Sequence, residues 1–292
     1  MHQTVPRPRG SKPDQHCFGR TPVLAPERRA RYIRPVRDPA AFSSAQLPTE
    51  HFNARFSQEN LAFWVPILIE CAQIEDGHRV LDVGCGTGGF ARAIAEVASA
   101  AVTGIDCSER FIAFACDAPA PQRGAVEWKV GSAEALPVAG GSFDRVLLSL
   151  VLHQLRHPEL AVAEAFRTLA TGGRVVVRTV APEDVAERVP ERFLPAMAAA
   201  DTERMPPLNA IEGWLRDAGF VVTERRRVLR NKKLNLADEE RKLLIEVRGR
   251  YSFVAEQEFD AGLRLMRAEA NMSGENWIDP RPTDIIAASK TT

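Results

Sequence analysis

The sequence predicts an α/β fold built around a parallel β-sheet. Three observations lead to this class. Short runs rich in Val, Ile and Leu alternate with segments of helical periodicity from about residue 56 onward. One run ends in four closely spaced glycines directly before a helical segment, as at the carboxyl edge of many parallel sheets. The composition, with 45% hydrophobic and 26% charged residues, is that of an ordinary globular protein.

The predicted elements follow one another regularly. Strands are predicted at 80–83, 101–105, 126–130, 145–150, 174–180, 221–229 and 283–288. Helices are predicted at 56–74, 90–98, 109–116, 158–169, 211–218, 238–247 and 256–268, with short helices between 181 and 207. The Thr-Gly-Gly stretch at 171–173 is interpreted as the stop between a helix and the next strand.

The charge is distributed unevenly along the chain. Lys plus Arg and Asp plus Glu both number 38, yet residues 1–37 hold nine basic and two acidic residues. Eight of the 20 prolines also precede residue 49. We therefore predict a flexible basic arm over 1–48, partly ordered from about residue 30, and a folded domain over 49–292. The arm is expected to be a tail over 1–25, or else a lid anchored by Tyr32 and Phe42.

The composition also restricts the compartment and the partners. Five cysteines lack a CxxC spacing, and no apolar run is long enough for a secretory signal or a membrane span. We expect a cytoplasmic protein with reduced thiols. The acidic folded domain argues against a nucleic-acid or membrane partner, and the sequence has no pattern typical of a metal site.

The segment at 80–90 is the most informative part of the sequence. A strand ends, a glycine-rich turn follows, and a helix begins, so backbone N–H groups are presented to a ligand. Asp106 ends the next strand, where a carboxylate can bind both hydroxyls of a ribose. A nucleoside-containing cofactor is thus predicted. Gly84, Gly86 and Gly89 also satisfy the dinucleotide spacing, so spacing alone leaves NAD open.

The residues of this segment resemble a known family. Asp-Val-Gly-Cys-Gly-Thr-Gly at 82–88 is similar to motif I of class I S-adenosylmethionine (SAM) methyltransferases, in the small-molecule subgroup that resembles the ubiquinone/menaquinone enzymes. Further stretches in the family's order are Asp106, Gly-Ser-Ala-Glu-Ala-Leu-Pro at 131–137, Ser-Phe-Asp at 142–144, Val-Leu-His at 151–153 and the glycines at 172–173. The resemblance covers about 56–230. It implies a Rossmann-like seven-stranded sheet, mostly parallel with an antiparallel last strand, helices on both faces and a helical cap over the carboxyl edge.

The resemblance also implies roles for individual residues. The backbone of Gly84 and Gly86 would approach the methionine part of SAM, and Asp82 would orient its amino group. Asp106 would hold the ribose hydroxyls, and Cys107 would lie beside the adenine. The implied cofactor-binding residues are Asp82, Gly84, Cys85, Gly86, Gly88, Asp106, Cys107, Ser132, Ala133, Glu134, Leu148 and Ser149.

Two of these positions depart from the family pattern. Ser132 stands where the family usually has an Asp that contacts the adenine amino group, which weakens that contact but leaves the Ala133 N–H available. Cys107 stands where an apolar residue is frequent, and it is equally interpretable as a small buried hydrophobe. Leu148 and Ser149 would line the region of the sulfonium.

His153 is the candidate catalytic side chain, and it is also expected to bind the acceptor. Methyl transfer is an in-line displacement, so positioning is most of the task, and a base is needed only if the acceptor loses a proton. A packing or capping role for His153 remains open. Arg178 would bind an acidic acceptor or form a surface ion pair. His157 is expected to cap a helix.

The acceptor is expected to be a small organic molecule, with aromatic compounds as one class. The stretch after the fourth strand, Ser-Leu-Val-Leu at 149–152, lacks the Asn/Asp-Pro-Pro-aromatic motif of base-methylating enzymes and a nucleophilic cysteine. Cap segments at about 181–210 and 231–282 would form an acceptor lid or a homodimer contact. Phe56, Trp64, Phe193 and Met197 would form an acceptor wall, or would be ordinary core.

The sequence thus predicts a SAM-dependent methyltransferase that acts at N, O or C of a small acceptor in specialised metabolism. It would release S-adenosylhomocysteine and need no metal. Three alternatives stay open: a SAM-assisted reaction such as a cyclisation, a non-catalytic binding protein of the same fold, and an NAD-dependent oxidoreductase.

Overall fold

A computed structural model describes residues 56–291, apart from the side chain of Arg248. The predicted arm, with Tyr32 and Phe42, lies outside the described residues. Seven strands form one sheet in the order β3-β2-β1-β4-β5-β7-β6. They are β1 Arg79–Val83, β2 Ala101–Asp106, β3 Ala125–Val130, β4 Phe143–Ser149, β5 Leu169–Thr179, β6 Val221–Lys233 and β7 Ile278–Ser289. The first five are parallel, and β7 runs antiparallel to both β5 and β6, which confirms the predicted Rossmann-like methyltransferase sheet.

Eight α-helices accompany the sheet within these residues. They are α1 Gln58–Ala72, α2 Gly89–Ala98, α3 Glu109–Asp117, α4 Pro158–Thr168, α5 Pro195–Arg204, α6 Leu208–Asp217, α7 Leu236–Arg248 and α8 Glu256–Ser273. Three of them begin at a side-chain cap: the oxygens of Ser57, Ser108 and Asn235 accept the N–H three residues further on. No helix of the described chain is long and apolar enough to cross a membrane.

The prediction that His157 caps a helix is confirmed for its position but not for its side chain. His157 is the N-cap residue of α4, but its side chain makes no capping hydrogen bond. Its Nδ1 lies 3.3 Å from Oε1 of Glu159 instead, because the imidazole is longer than the Ser or Asp side chains that normally bend back to the helix N–H groups. The backbone N–H of His157 donates to Glu134 at 2.5 Å.

The glycines at 172–173 do not separate α4 from the next strand. Strand β5 begins at Leu169, directly after α4, and passes through both glycines. Leu169 pairs with Phe143, and the register then shifts so that Arg174 pairs with Arg145. The Gly172 N–H donates to the Lys290 carbonyl and the Lys290 N–H donates to Gly173, at 2.8 and 2.9 Å. The glycines therefore form a bulge that joins β5 to the end of β7.

The last two strands are longer than predicted and remain paired. Strand β5 ends at Thr179 opposite Asp284 of β7, whereas β6 and β7 continue pairing to Lys233 opposite Ile278. The two strands therefore project beyond the carboxyl end of β5 as a ribbon, with α7 and α8 inserted between its ends. Pro280, Pro282 and the charges at 230–233 conceal this extension in the sequence, because they depart from a strand pattern.

Three hydrophobic clusters hold these layers together. Residues of α1 and α2, such as Leu68 and Ile94, pack against one face of the sheet. Residues of α4 and α6, such as Val162 and Ile211, pack against the other. The third cluster joins the 189–197 segment to α7 and α8 and lies apart from the sheet layers, with Trp277 only 2% exposed. The two predicted cap segments thus share a core of their own.

Candidate functional site

The glycine loop after β1 is tied to the end of β2 by backbone hydrogen bonds. The N–H groups of Gly84 and Cys85 both donate to the carbonyl of Ile105, at 2.7 and 3.1 Å. The Gly88 N–H donates to the Cys85 carbonyl at 3.0 Å, which closes the loop before α2. The loop is therefore held at the carboxyl edge of the sheet, where ligands of this fold class bind.

Two glycines in this loop are required by both conformation and space. Gly84 has φ +72°, and a Cβ there would lie 2.6 Å from Cγ2 of Val151. Gly88 has φ +77°, and a Cβ there would collide with the indole of Trp128. A side chain at either position would thus combine a strained backbone with a steric overlap. The loop conformation is fixed by its neighbours on both sides.

Asp106 connects the loop to the second strand. Its Oδ2 accepts the Gly86 N–H and its Oδ1 accepts the Ser108 N–H, both at 2.9 Å. Burial raises the pKa of Asp106, while these two backbone donors oppose the rise. Each carboxylate oxygen retains a second lone pair, so the group can still accept hydrogen bonds from two hydroxyls.

Asp82 and Cys85 are the buried titratable groups beneath the loop. Asp82 is 3% exposed, and burial raises its pKa to about 7; the positive charge of Arg178 opposes this rise and Asp106 adds to it. Burial also raises the pKa of the Cys85 thiol, assisted by the two carboxylates. Cys85 is therefore an inert neutral thiol, whereas the pKa of the Asp82 carboxyl lies close to neutral pH.

The residues implied for the adenine end lie in different environments. Cys107 is exposed beside Asp106. Ser132 is also exposed, and its Oγ accepts the Glu134 N–H at 3.1 Å. Ala133 is buried in the sheet core, and Glu134 directs its carboxylate to the His157 N–H. Exposed Cys107 and Ser132 are available to a ligand, while the Glu134 side chain joins the 131–137 turn to α4.

The predicted site residues at the end of β4 and just after it lie in different environments. The Leu148 side chain is fully buried in the core, so the expectation that it lines the sulfonium region is wrong for its side chain. Ser149 is half-buried, and its Oγ has no hydrogen-bond partner among residues 56–291. His153 is 8% exposed and belongs to a short 3-10 helix, Leu152–Gln154, that follows the strand.

The four residues of the expected acceptor wall fall into two groups. Phe56 packs on Gly86 and Gly89 of the loop, and its ring lies edge-on to Phe90 at 5.7 Å between centroids. Trp64 is buried among the residues of α1 and α2.

Met197, by contrast, is 1% exposed within the cap cluster, and Phe193 packs against that cluster. A single wall is therefore not what the structure shows, because two members belong to the loop side and two to the cap.

Arg178 is not at the surface. It is 4% exposed, and its guanidinium carbon lies 4.6 Å from the ring centroid of Trp64 and 4.8 Å from that of Phe90. The surface position that the sequence left open for this side chain is therefore wrong. The side chain is held between a ring of α1 and a ring of α2, close to the carboxyl edge of the sheet.

Trp128 was missed by the sequence reasoning. Its indole packs against both Gly88 and Gly104, and the Arg92 guanidinium lies 5.8 Å from its ring centroid. Gly104 was the available signal, since a glycine inside a strand often marks the close approach of another group. No cluster of His, Cys, Asp or Glu within residues 56–291 has the composition to bind a metal ion.

Fold and site together define a nucleoside-binding protein of the Rossmann-like type. The family described as "Methyltransferase domain" matches residues 81–177. The ubiquinone/menaquinone biosynthesis C-methyltransferase UbiE of Methylobacterium nodulans is 32% identical over 170 residues, which are 50% of this chain and 68% of that protein. The chain therefore belongs to the class I SAM-dependent methyltransferase family. Several other curated relatives are matched over only about half of their length.

Solved structures share the fold at lower identity. A protein from Anabaena variabilis, described as a methyltransferase of an antibiotic biosynthesis pathway, has a TM-score of 0.58 and 22% identity, over 78% of this chain and 97% of that chain. The [4+2]-cyclase SpnF has a TM-score of 0.56 and 22% identity, over 80% and 82%. Methyl transfer is thus not the only reaction among proteins of this fold.

Proposed function

We propose that this chain uses SAM to methylate N, O or C of a small organic acceptor, and that S-adenosylhomocysteine is the second product. The observation that carries this proposal is Asp106, whose carboxylate is anchored by the Gly86 and Ser108 N–H groups beside the glycine loop. Family membership supplies the choice of SAM over NAD. When bound, SAM contributes a methyl group already activated by its sulfonium.

The residues around the loop fit this cofactor. Asp106 has free acceptor positions for two ribose hydroxyls, and the exposed side chains of Cys107 and Ser132 lie beside it along the sheet edge. The backbone of Gly84 and Gly86 can approach the methionine part closely because neither carries a side chain. Asp82, when ionised, is an acceptor for an ammonium group.

His153 is proposed as the residue that positions the acceptor, and as its base where a proton must be lost. It follows β4 directly and is held in a short helix at the carboxyl edge. A buried imidazole in such a helix has few accessible rotamers, so it can hold an acceptor atom in one place.

The cap is proposed to provide the acceptor pocket. It extends beyond the carboxyl end of β5 and has its own core, so its inner surface can differ from that of relatives without affecting the sheet. A pocket built by such a cap would favour a small molecule over nucleic acid. We place the reaction in specialised metabolism because the long insertion between β6 and β7 departs from the family's common tight hairpin.

The proposal is tested by calorimetric titration with SAM, followed by assay of S-adenosylhomocysteine release over a broad acceptor panel. Asp106→Ala should abolish SAM binding. Asp144→Ala is the matched control, because Asp144 pairs with Arg79 at the opposite end of the sheet and should leave SAM affinity unchanged. Absence of SAM binding by the native protein would refute the proposal, and a nicotinamide-dependent absorbance change would favour an oxidoreductase.

His153→Ala should reduce turnover with SAM affinity retained, and unchanged turnover would remove its proposed role. If SAM binds but no acceptor is methylated, two alternatives gain support. One is a SAM-assisted reaction such as cyclisation, a possibility that the cyclase among the similar structures keeps open. The other is a binding protein without activity.

A further inference from the structure

Arg178 occupies an unusual position for a residue expected to bind an acceptor. Its guanidinium carbon lies 4.6 and 4.8 Å from the ring centroids of Trp64 and Phe90, which belong to different helices. A cation between two aromatic faces is favoured, and more so where water is excluded. The side chain cannot swing toward an acceptor without giving up both contacts. Its position is therefore fixed before any ligand binds.

The sheet register places this fixed cation on the same face of the sheet as Asp82. Leu147 pairs with Asp82 on β1 and with Val176 on β5, so all three side chains share one face of the sheet. Arg178 lies two residues beyond Val176 and thus on the same face, near the carboxyl edge. Asp82 and Arg178 are both almost fully buried there, at 3% and 4% exposure.

Within residues 56–291, the other groups that influence the pKa of Asp82 are not positively charged. On β2, Asp106 is an acid, and in the loop Cys85 is a thiol whose pKa is raised by burial and by both carboxylates. The helices α1 and α2 contribute the rings of Trp64 and Phe90 on this face. Arg178 lowers the pKa of Asp82 and so favours its carboxylate form, against burial and the charge of Asp106.

We propose that Arg178 is a positioning residue for cofactor binding: held on the same face of the sheet as Asp82, its cation stabilises the carboxylate that receives the ammonium group of SAM. The inference rests on the proposed function. It replaces the earlier expectation that Arg178 binds an acidic acceptor. Trp64 and Phe90 serve the same end, because they fix the guanidinium in place.

The test is the pH dependence of SAM binding in Arg178→Met, measured by calorimetry from pH 6 to pH 9. Each dissociation constant is divided by that of the native protein at the same pH, so that titration of SAM itself cancels. Without the nearby cation, Asp82 should hold its proton to higher pH. We expect SAM affinity to fall about five- to tenfold at pH 7 and less than about twofold at pH 9.

Arg174→Met is the matched control. Arg174 is a buried arginine on the same strand and face, but it binds the Cys71 carbonyl and Glu224, far from the carboxyl edge. Its loss should lower thermal stability without changing the pH profile. Arg178→Lys, which retains a cation, should keep most of the native affinity at pH 7 and covers the case in which Arg178→Met does not fold.

Two results would overturn the inference. One is an affinity loss in Arg178→Met that is equal at every pH, as a purely structural role would give. The other is unchanged SAM affinity with a raised KM for the acceptor, as an acceptor-binding role would give. Both require that the native protein binds SAM, so they are distinct from failure of the proposed function itself.

Discussion

Two parts of the molecule are each stabilised by a different kind of interaction. One is the glycine-loop half, which consists of the loop and the sheet around it, and the other is the cap half, over about 181–210 and 231–282. Around the loop, the decisive contacts come from the backbone: N–H groups of Gly84, Cys85 and Gly86 bond to the end of β2. In the cap, a separate hydrophobic core is accompanied by buried carboxylates that bind groups far away in sequence. A cofactor site thus requires a fixed backbone conformation, whereas the shape of an acceptor cap can change through side-chain substitutions.

Two of the buried carboxylates of the cap have distinct partners. Asp279 is fully buried; its Oδ1 accepts the Val189 N–H at 3.2 Å, and its Oδ2 pairs with Arg281. Asp201 is 5% exposed, pairs with Arg204 and accepts the Tyr251 hydroxyl at 2.7 and 2.8 Å. These contacts join α5 to the α7–α8 connection, and β7 to the segment that follows β5. Loss of either carboxylate would leave cations without their partners.

The largest effect is expected from Gly88→Ala in the loop half. The new methyl group would meet the Trp128 indole while the backbone keeps φ +77°. We expect SAM affinity to fall at least about a hundredfold and the free energy of unfolding to fall by about 2–4 kcal/mol. Calorimetric titration with SAM and denaturant unfolding measure the two changes.

Gly213→Ala is the control for this substitution. Gly213 lies within α6 and has open space where a Cβ would be, so alanine should stabilise the helix by about 0.5–1 kcal/mol and leave SAM binding unchanged. Native SAM affinity in Gly88→Ala would show that the loop is not the cofactor site.

The second effect concerns the cap and should be seen in stability alone. Asp279→Ala removes the acceptor of the Val189 N–H and the partner of Arg281. We expect the free energy of unfolding to fall by about 3 kcal/mol and SAM affinity to stay within about twofold of native, since the cap has its own core.

Asp260→Ala, at an exposed position on α8, is the control and should change neither quantity. A SAM affinity that falls in step with stability would contradict the separation of the two halves.

The same contrast explains what the sequence could predict. The order of elements in the loop half, its glycine turn and Asp106 follow from local patterns, since glycine spacing and β-branched runs are read within a few residues. The Arg178 contacts with Trp64 and Phe90 were not predictable, because they join three elements that are distant in sequence.

In the cap, the helices predicted at 238–247 and 256–268 lie within α7 and α8, but the contacts of the cap were not predictable. Its core and the extended β6–β7 ribbon depend on pairs such as Lys233 opposite Ile278, which no local pattern marks. Met197 is an example: the sequence predicts an apolar contact for it, but no sequence pattern distinguishes a residue of the cap core from one of a pocket wall.

The smallest effect is expected at the start of α4, which packs on the sheet face opposite α1 and α2. His157 occupies the N-cap position without a capping hydrogen bond from its side chain, so His157→Ser should supply the missing acceptor and stabilise the protein by about 0.5–1 kcal/mol. The pair with Glu159 is exposed and contributes little. Thermal unfolding monitored by circular dichroism should show a rise of a few degrees. Ser108→Ala, which removes an existing cap on α3, should give a decrease of similar size. An unchanged or lower midpoint for His157→Ser would mean that the Glu134 carboxylate on the His157 N–H already fixes the start of α4.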